Sequence, residues 1–296
     1  MKRTVKRFRK KRKISKKRKY KGGNSNKNIK IIVSNDFYNR GFFSHFNQLL
    51  CALLDNPDTT EIEFNLVSTP KYSSTYYVKE GEEILSKLFE KYDLQKPITD
   101  TIILTNFIND SYASNIYVDA INNFNNNRYK LQPFNDVYNK FIKIKPNILE
   151  KIESHMNILK ENNPELLIGV LVRSKAVEAD QSKKKMPSYE DYLNAINVEN
   201  KNKSTKYFFV IDNNVDLEYF KNALTPNYYL KDLYRSPDNQ HNAPHTKQNL
   251  KSLEELENIF IQVAVLSKCD ILVHCNSNMA IASLSMNMKQ KSVFIS

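Results

Sequence analysis

Only three cysteines occur in the 296 residues, Cys51, Cys269 and Cys275. So few, and an odd number, supply no disulfide framework and fit a reducing compartment. No segment approaches the roughly 18 uninterrupted apolar residues of a membrane helix. No apolar stretch follows the charged N-terminus, only Gly22-Gly23 and an Asn-rich connector, so no secretory signal is expected and the cytoplasm or nucleus is the expected location. Acidic residues are missing from Met1 to Gly23, where 14 residues are Lys or Arg. Taking those 14 from the total of 45 basic residues leaves 31 against 32 acidic ones, so the formal charge of +13 belongs to the tail. Such a segment repels itself and buries nothing, and residues 1–27 are expected to form a disordered polybasic tail. Its residues 2–21 suit nucleic acid, an anionic surface or a nuclear address. The nearly neutral remainder must be judged separately.

That remainder alternates strand and helix. Short β-branched or apolar runs predict strands at Ile29–Val33, Ile62–Val67, Thr101–Leu104, Leu166–Arg173, Tyr207–Ile211, Ile271–His274 and Val293–Ile295. Helices are expected over Ser44–Leu54, Gly81–Tyr92, most of Phe134–Asn162 and Ser252–Lys268, with another opening at Ser277. Ile148, Leu149, Ile152, Met156 and Leu159 recur at helical spacing and predict a core stripe, and Leu253, Leu256, Ile259, Phe260, Val263 and Leu266 predict another. Ser188 followed three residues later by Asp191 has the spacing of a capping box. Asn162-Asn163-Pro164 ends a helix, and the domain boundary is placed there: 28–163, then 164–296. Repeated β-α units predict an α/β fold with parallel sheets and right-handed crossovers, organised as two Rossmann-like domains facing a cleft.

Arg173 leaves the apolar run Leu166-Leu167-Ile168-Gly169-Val170-Leu171-Val172, which reads as a central strand covered on both faces. A guanidinium at the carboxyl end of such a strand lies where open α/β sheets bind ligands, and a phosphate is its natural partner. The alternative is an Arg that leaves the sheet and pairs with a surface carboxylate. Three further loops fall at strand ends. Gly41, before a new helix, permits close backbone approach to an anion or makes an ordinary turn; as a single glycine it is no dinucleotide fingerprint. Asp212 can bond a ribose or base, or cap the next helix. Ser277 is a good N-cap, and with Asn278 it opens a helix that either is simply capped or faces Arg173 as an anion site.

These segments resemble the GDP-fucose-dependent fucosyltransferases of the α-1,6, nodulation and protein O-fucosylation type. The resemblance is carried by Ile168-Gly169-Val170-Leu171-Val172-Arg173, by Phe209-Val210-Ile211-Asp212-Asn213, by Leu266-Ser267-Lys268-Cys269-Asp270-Ile271-Leu272-Val273 with Ser277-Asn278, and by Asn39-Arg40-Gly41 through Asn47. It spans roughly Ile29 to Ser296 and implies a GT-B fold whose C-terminal domain binds the nucleotide sugar and whose N-terminal domain is acceptor-side. It implies inverting transfer of fucose from GDP-fucose to a glycan or protein acceptor, without a metal or other cofactor. Carried over, Arg173 is the catalytic residue that stabilises the departing diphosphate, Asp212, Ser277 and Asn278 contact the nucleotide, and Gly41 and Asn47 line the cleft. This chain departs from the family at Leu171, where the family has His, at Gln262, where many members have Asp, and at Ser174, where the α-1,6 enzymes have a second Arg.

Asp36, His45 and Glu178 are the loop candidates for a catalytic base. Loops 68–77 and 175–185 are expected to shape the acceptor pocket. Arg235 is either a further donor contact or a surface Arg. Cys269, His274 and Cys275 cannot make a tetrahedral zinc site, because neighbours on a strand point to opposite faces. The competing reading is a non-enzymatic nucleic-acid-binding or packaging protein that works through its basic tail.

Overall fold

A computed structural model describes residues 28–34, 42–65, 85–104, 119, 128–173, 186–233, 235–236 and 253–295. The basic tail, Gly41, Asp36, Glu178 and the two expected acceptor loops lie outside the described residues.

The first half builds a parallel sheet from β1 (Ile29–Ser34), β2 (Thr59–Asn65) and β3 (Asp100–Leu104), in the order β2-β1-β3. Central β1 buries Ile31 completely, while its Lys30 bridges Glu61 at 2.8 Å and Glu63 at 2.6 Å on the neighbouring strand. Helix α1 (Phe42–Asp55) follows β1. It starts before the expected Ser44, because Phe42 and Phe43 pack edge-on at 5.2 Å and anchor its first turn. Of the helix expected over Gly81–Tyr92, residues 81–84 lie outside the described residues, and among the rest α2 (Leu85–Leu88) is helical. Competing backbone partners end it: Glu90 N–H donates to Lys143 at 2.8 Å, and Lys145 N–H donates back to Leu88 at 3.0 Å.

A 3-10 turn (Arg128–Leu131) leads into α3 (Gln132–Phe141), and α4 (Pro146–Lys160) follows. Most of Phe134–Asn162 is helical, as expected, and the helical part falls in two pieces. Pro146 favours an extended Lys145, observed at ψ 147°, and then opens α4 at its first position. In α4 Ile148, Ile152, Met156 and Leu159 are buried as expected, but Leu149 is 40% exposed: it sits 100° around the helix from Ile148 and misses the stripe. Asn162 and Asn163 end the segment with φ of 65° and 48°, a left-handed turn that asparagine tolerates.

The second half builds a five-stranded parallel sheet. In chain order it comprises β4 (Leu166–Val172), α5 (Tyr189–Asn200), β5 (Thr205–Ile211), α6 (Asn214–Ala223), β6 (Asn227–Tyr228), α7 (Leu253–Ser267), β7 (Ile271–His274), α8 (Asn278–Met286) and β8 (Lys291–Phe294). Its order is β6-β5-β4-β7-β8. β4 and β5 are buried at every position, as continuous apolar runs require when both faces are covered. The capping box holds: the Ser188 hydroxyl accepts from Asp191 N–H at 3.2 Å, and the Asp191 carboxylate accepts from Ser188 N–H at 2.7 Å.

The second sheet separates two cores. On one face Leu166, Ile168, Val170 and Val172 pack with Tyr192, Phe209 and Phe220. On the other, Leu167, Leu171, Phe208 and Val210 join a core that runs on through α7 and α8 into α1, α3 and α4 of the first half. Phe260 of α7 meets Phe89 at 5.0 Å and Phe42 at 6.4 Å, both edge-on. This position explains why α7 has no polar side in its second half, contrary to the single stripe expected: Ile261, Ala264 and Val265 are buried as well. α7 also approaches the sheet closely. A Cβ on Gly169 would stand 2.5 Å from Leu266 Cδ1, so any larger residue there would displace the buried Leu266 side chain. No described helix is long and apolar enough to cross a membrane.

Candidate active site

The chain runs outward from β4 to β5 to β6, then returns across to β7 and β8, so the strand order reverses between β4 and β7. The carboxyl edge at such a reversal is where open α/β sheets hold ligands. Registers of Val172 with Ile211 and of Leu171 with His274 place Arg173 beside Asp212, and Cys275 beside Val172, at that edge. Alternation along the strands directs Arg173 and Asp212 towards the α7 face, because Leu167 and Leu171, and Phe208 and Val210, already face it. α8 begins at the same edge and the same face. Ser277 caps it, its hydroxyl accepting from Met279 N–H at 3.1 Å, and Asn278 is its first residue.

Arg173 is half-buried, and its Nε lies out of solvent with no hydrogen-bond partner among the described residues. Its backbone is held from the opposite face by Tyr192, which the sequence did not single out, and by Cys275, for which it suggested no such role. The Tyr192 hydroxyl, on α5, donates to the Leu171 carbonyl at 3.3 Å and lies within hydrogen-bonding reach of the Arg173 backbone and the Cys275 thiol. Burial pushes the Tyr192 phenol far above its ordinary range and raises the Cys275 thiol too, the latter offset by nearby Tyr192 and Arg173. Both therefore stay neutral and brace the strand end. A tyrosine within an unremarkable helix gave no signal of this, since only the fold brings it under β4.

Asp212 does not cap the following helix. Asn213 does, its side chain accepting from Asp216 N–H at 2.7 Å and donating to the Asp216 carboxylate at 2.7 Å. The Asp212 carbonyl accepts from Ser236 N–H at 3.1 Å, which ties the site to the strand-like turn at 235–236. Asn47 is buried in α1 and donates to the Asn278 carbonyl at 3.0 Å, fastening the first half to the opening turn of α8. His45, expected in a loop, lies buried in the first turn of α1.

Arg235 is not a surface residue. It is 7% exposed, donates to the carbonyls of Leu230 at 2.7 Å and Leu233 at 3.3 Å, and lies over the Tyr229 ring at 5.1 Å. It holds its own loop together. That loop borders a cavity of about 300 Å³ beyond β6, lined by His155, Tyr228, Tyr229, Leu230, Lys231, Asp232 and Asn258. His155 Nδ1 and the Tyr228 hydroxyl share a hydrogen bond of 2.6 Å within it, two strands away from Arg173.

Glu255, in the first turn of α7, is 8% exposed, and burial pushes its carboxyl up to about 7. His274 is engaged with the Cys275 carbonyl at 3.0 Å and Ser292 Oγ at 2.8 Å, and Cys269 is wholly enclosed. Among the described residues no three His, Cys, Asp or Glu side chains are grouped to hold a metal ion.

No protein-family model and no curated protein matches the chain. Solved structures do. A NodZ α-1,6-fucosyltransferase soaked with GDP-fucose is 12% identical, with a TM-score of 0.51 over 88% of this chain and 93% of its own. NodZ from Bradyrhizobium (12%, TM-score 0.48, 88% and 92%) and an Arabidopsis thaliana FUT1 mutant in complex with GDP (9%, TM-score 0.48, 92% and 71%) also match. At such identity the likeness to the soaked NodZ structure shows the fold. It is the α/β, GT-B-like arrangement of parallel sheets.

Proposed function

We propose that this chain is a glycosyltransferase that transfers fucose from GDP-fucose, with inversion, to a glycan or protein acceptor. Residues 164–296 would bind the donor and residues 28–163 the acceptor. One observation carries the reading: a guanidinium whose buried Nε has no hydrogen-bond partner among the described residues stands at the strand-order reversal beside the capped N-terminus of α8. Negative charge develops on the diphosphate as the C1–O bond breaks, and a preorganised cation and helix N-terminus aimed there lower the barrier directly. Arg173 supplies the charge, Ser277 and Asn278 present the helix end, and Asp212 accepts from the ribose or base. Asn47 acts at one remove by holding Asn278. The fold shared with a fucosyltransferase that was soaked with GDP-fucose supports this assignment.

The test is a thermal-shift comparison of GDP, UDP, ADP and their sugar conjugates. Selective stabilisation by GDP is expected, worth about 2.7 kcal/mol at a hundred times Kd. Arg173→Lys, which loses the bidentate clamp, should reduce GDP release from GDP-fucose by about 10²–10³. Equal response to all nucleotides, or an unchanged rate, refutes the proposal.

A further inference from the structure

We infer that Glu255 is the proton acceptor of this site, its carboxylate taking the proton of the acceptor hydroxyl as that oxygen attacks the anomeric carbon. The inference rests on the transferase reading above.

The placement follows from α7. This helix leads into β7 through a three-residue turn and packs on β4 and β5, so it runs antiparallel to the strands with its first turn at their carboxyl edge. Leu266 marks its sheet-facing side, because it meets Gly169 of β4. Steps of four, three and four residues from Leu266 give Gln262, Ile259 and Glu255, a net rotation of only about 20°. Glu255 is therefore on the sheet-facing stripe. Phe260, by contrast, points to Phe42 and Phe89 of the first half. Eleven helical residues advance about 16 Å. The four strand residues from Gly169 to Arg173 advance about 13 Å. Glu255 thus stands just past the end of β4, over the edge towards which Arg173 and Asp212 are directed.

Among the described residues only Asp216 and Glu255 are buried carboxylates. Asp216 belongs to the opposite core, where its carboxylate accepts from Asn213 and from the Tyr189 hydroxyl. Glu255 is left at the reacting edge. Burial brings its carboxyl up to about 7, where the ionised form is present at neutral pH and still basic enough to accept a proton. In the step itself the acceptor oxygen bonds to C1 while its proton passes to a Glu255 oxygen. The bond from C1 to the phosphate oxygen breaks, and its electron pair leaves with GDP beside Arg173.

The full chain carrying Glu255→Gln tests this, with GDP release from GDP-fucose into water as the rate and GDP-induced thermal shift as the binding measurement. The expected result is a loss of about 10²–10⁴ in rate with the GDP shift retained. Glu255→Asp, which keeps a carboxylate, should lose less. A rate within about threefold of the parent overturns the inference, and so does loss of the GDP shift, which would make Glu255 a nucleotide contact. A parent protein that neither binds GDP nor releases it overturns the transferase reading and this inference together.

Discussion

Glu255→Gln has a second consequence, in stability, whose sign and size follow from burial alone. The carboxyl moves from 4.5 in an exposed setting to about 7 in the fold. Below pH 4.5 it is protonated in both folded and unfolded chains and costs nothing. As the pH rises the unfolded chain ionises first, so folding must retain a proton that the unfolded chain gives up. The favourable contribution of the neutral form is therefore present at low pH and lost as pH rises through about 7. An interval of 2.5 pH units at 1.36 kcal/mol each makes the full loss roughly 3 kcal/mol. Gln mimics the neutral acid at every pH. The variant should match the parent near pH 4.5 and exceed its unfolding free energy by roughly 3 kcal/mol at pH 8. Denaturant unfolding of both proteins across that range measures the difference, and other titrating groups cancel in the comparison. A difference that stays flat, or that favours the parent at high pH, refutes the burial argument and removes the support it lends to proton transfer.

Gly169→Ala should destabilise by about 1–3 kcal/mol, because the new methyl enters Leu266 inside a filled core; adding Leu266→Val should recover part of it, as a denaturant double-mutant cycle would show. Asn213→Ala should cost about 1–2 kcal/mol through the lost cap of α6 and the lost donor to buried Asp216, read as a lower denaturant midpoint; a change under about 0.5 kcal/mol would mean that neither bond matters.

What the sequence disclosed was set by how local each signal is. β4 and β5 were legible because strands covered on both faces must be apolar throughout. Ser188 with Asp191, and Asn162 with Asn163, were legible because caps and left-handed turns depend on adjacent residues. Arg173 stood out because a charge at the end of such a run is conspicuous without any partner. Asp212 against Asn213 as the cap was not decidable, since both side chains suit the role and only the backbone conformation at 213 selects one. Tyr192 and Glu255 were invisible for a different reason. A tyrosine and a glutamate in amphipathic helices are ordinary until the sheet order brings one beneath β4 and the other above it. Leu149 shows the opposite error, an apolar residue counted into a stripe that the packing did not need.

α7 joins these observations into one mechanical statement. The helix is clamped at its C-terminal end, where Leu266 lies against the bare backbone of Gly169, and Glu255 projects from its N-terminal end on the same stripe. Its rotation is therefore fixed at the closest contact and read out about 16 Å away, at the edge that carries Arg173. A register shift of one residue would turn Glu255 by about 100° and take it off the sheet face. Gly169→Ala pushes on that clamp, so its loss of stability should come with a loss of GDP release from the folded protein. Asn213→Ala acts on the opposite face, through α6, and should weaken the fold while leaving the rate of the folded fraction unchanged. Rates compared well below both unfolding transitions separate the two cases; equal effects on turnover would mean that the Gly169 contact does not set the position of Glu255.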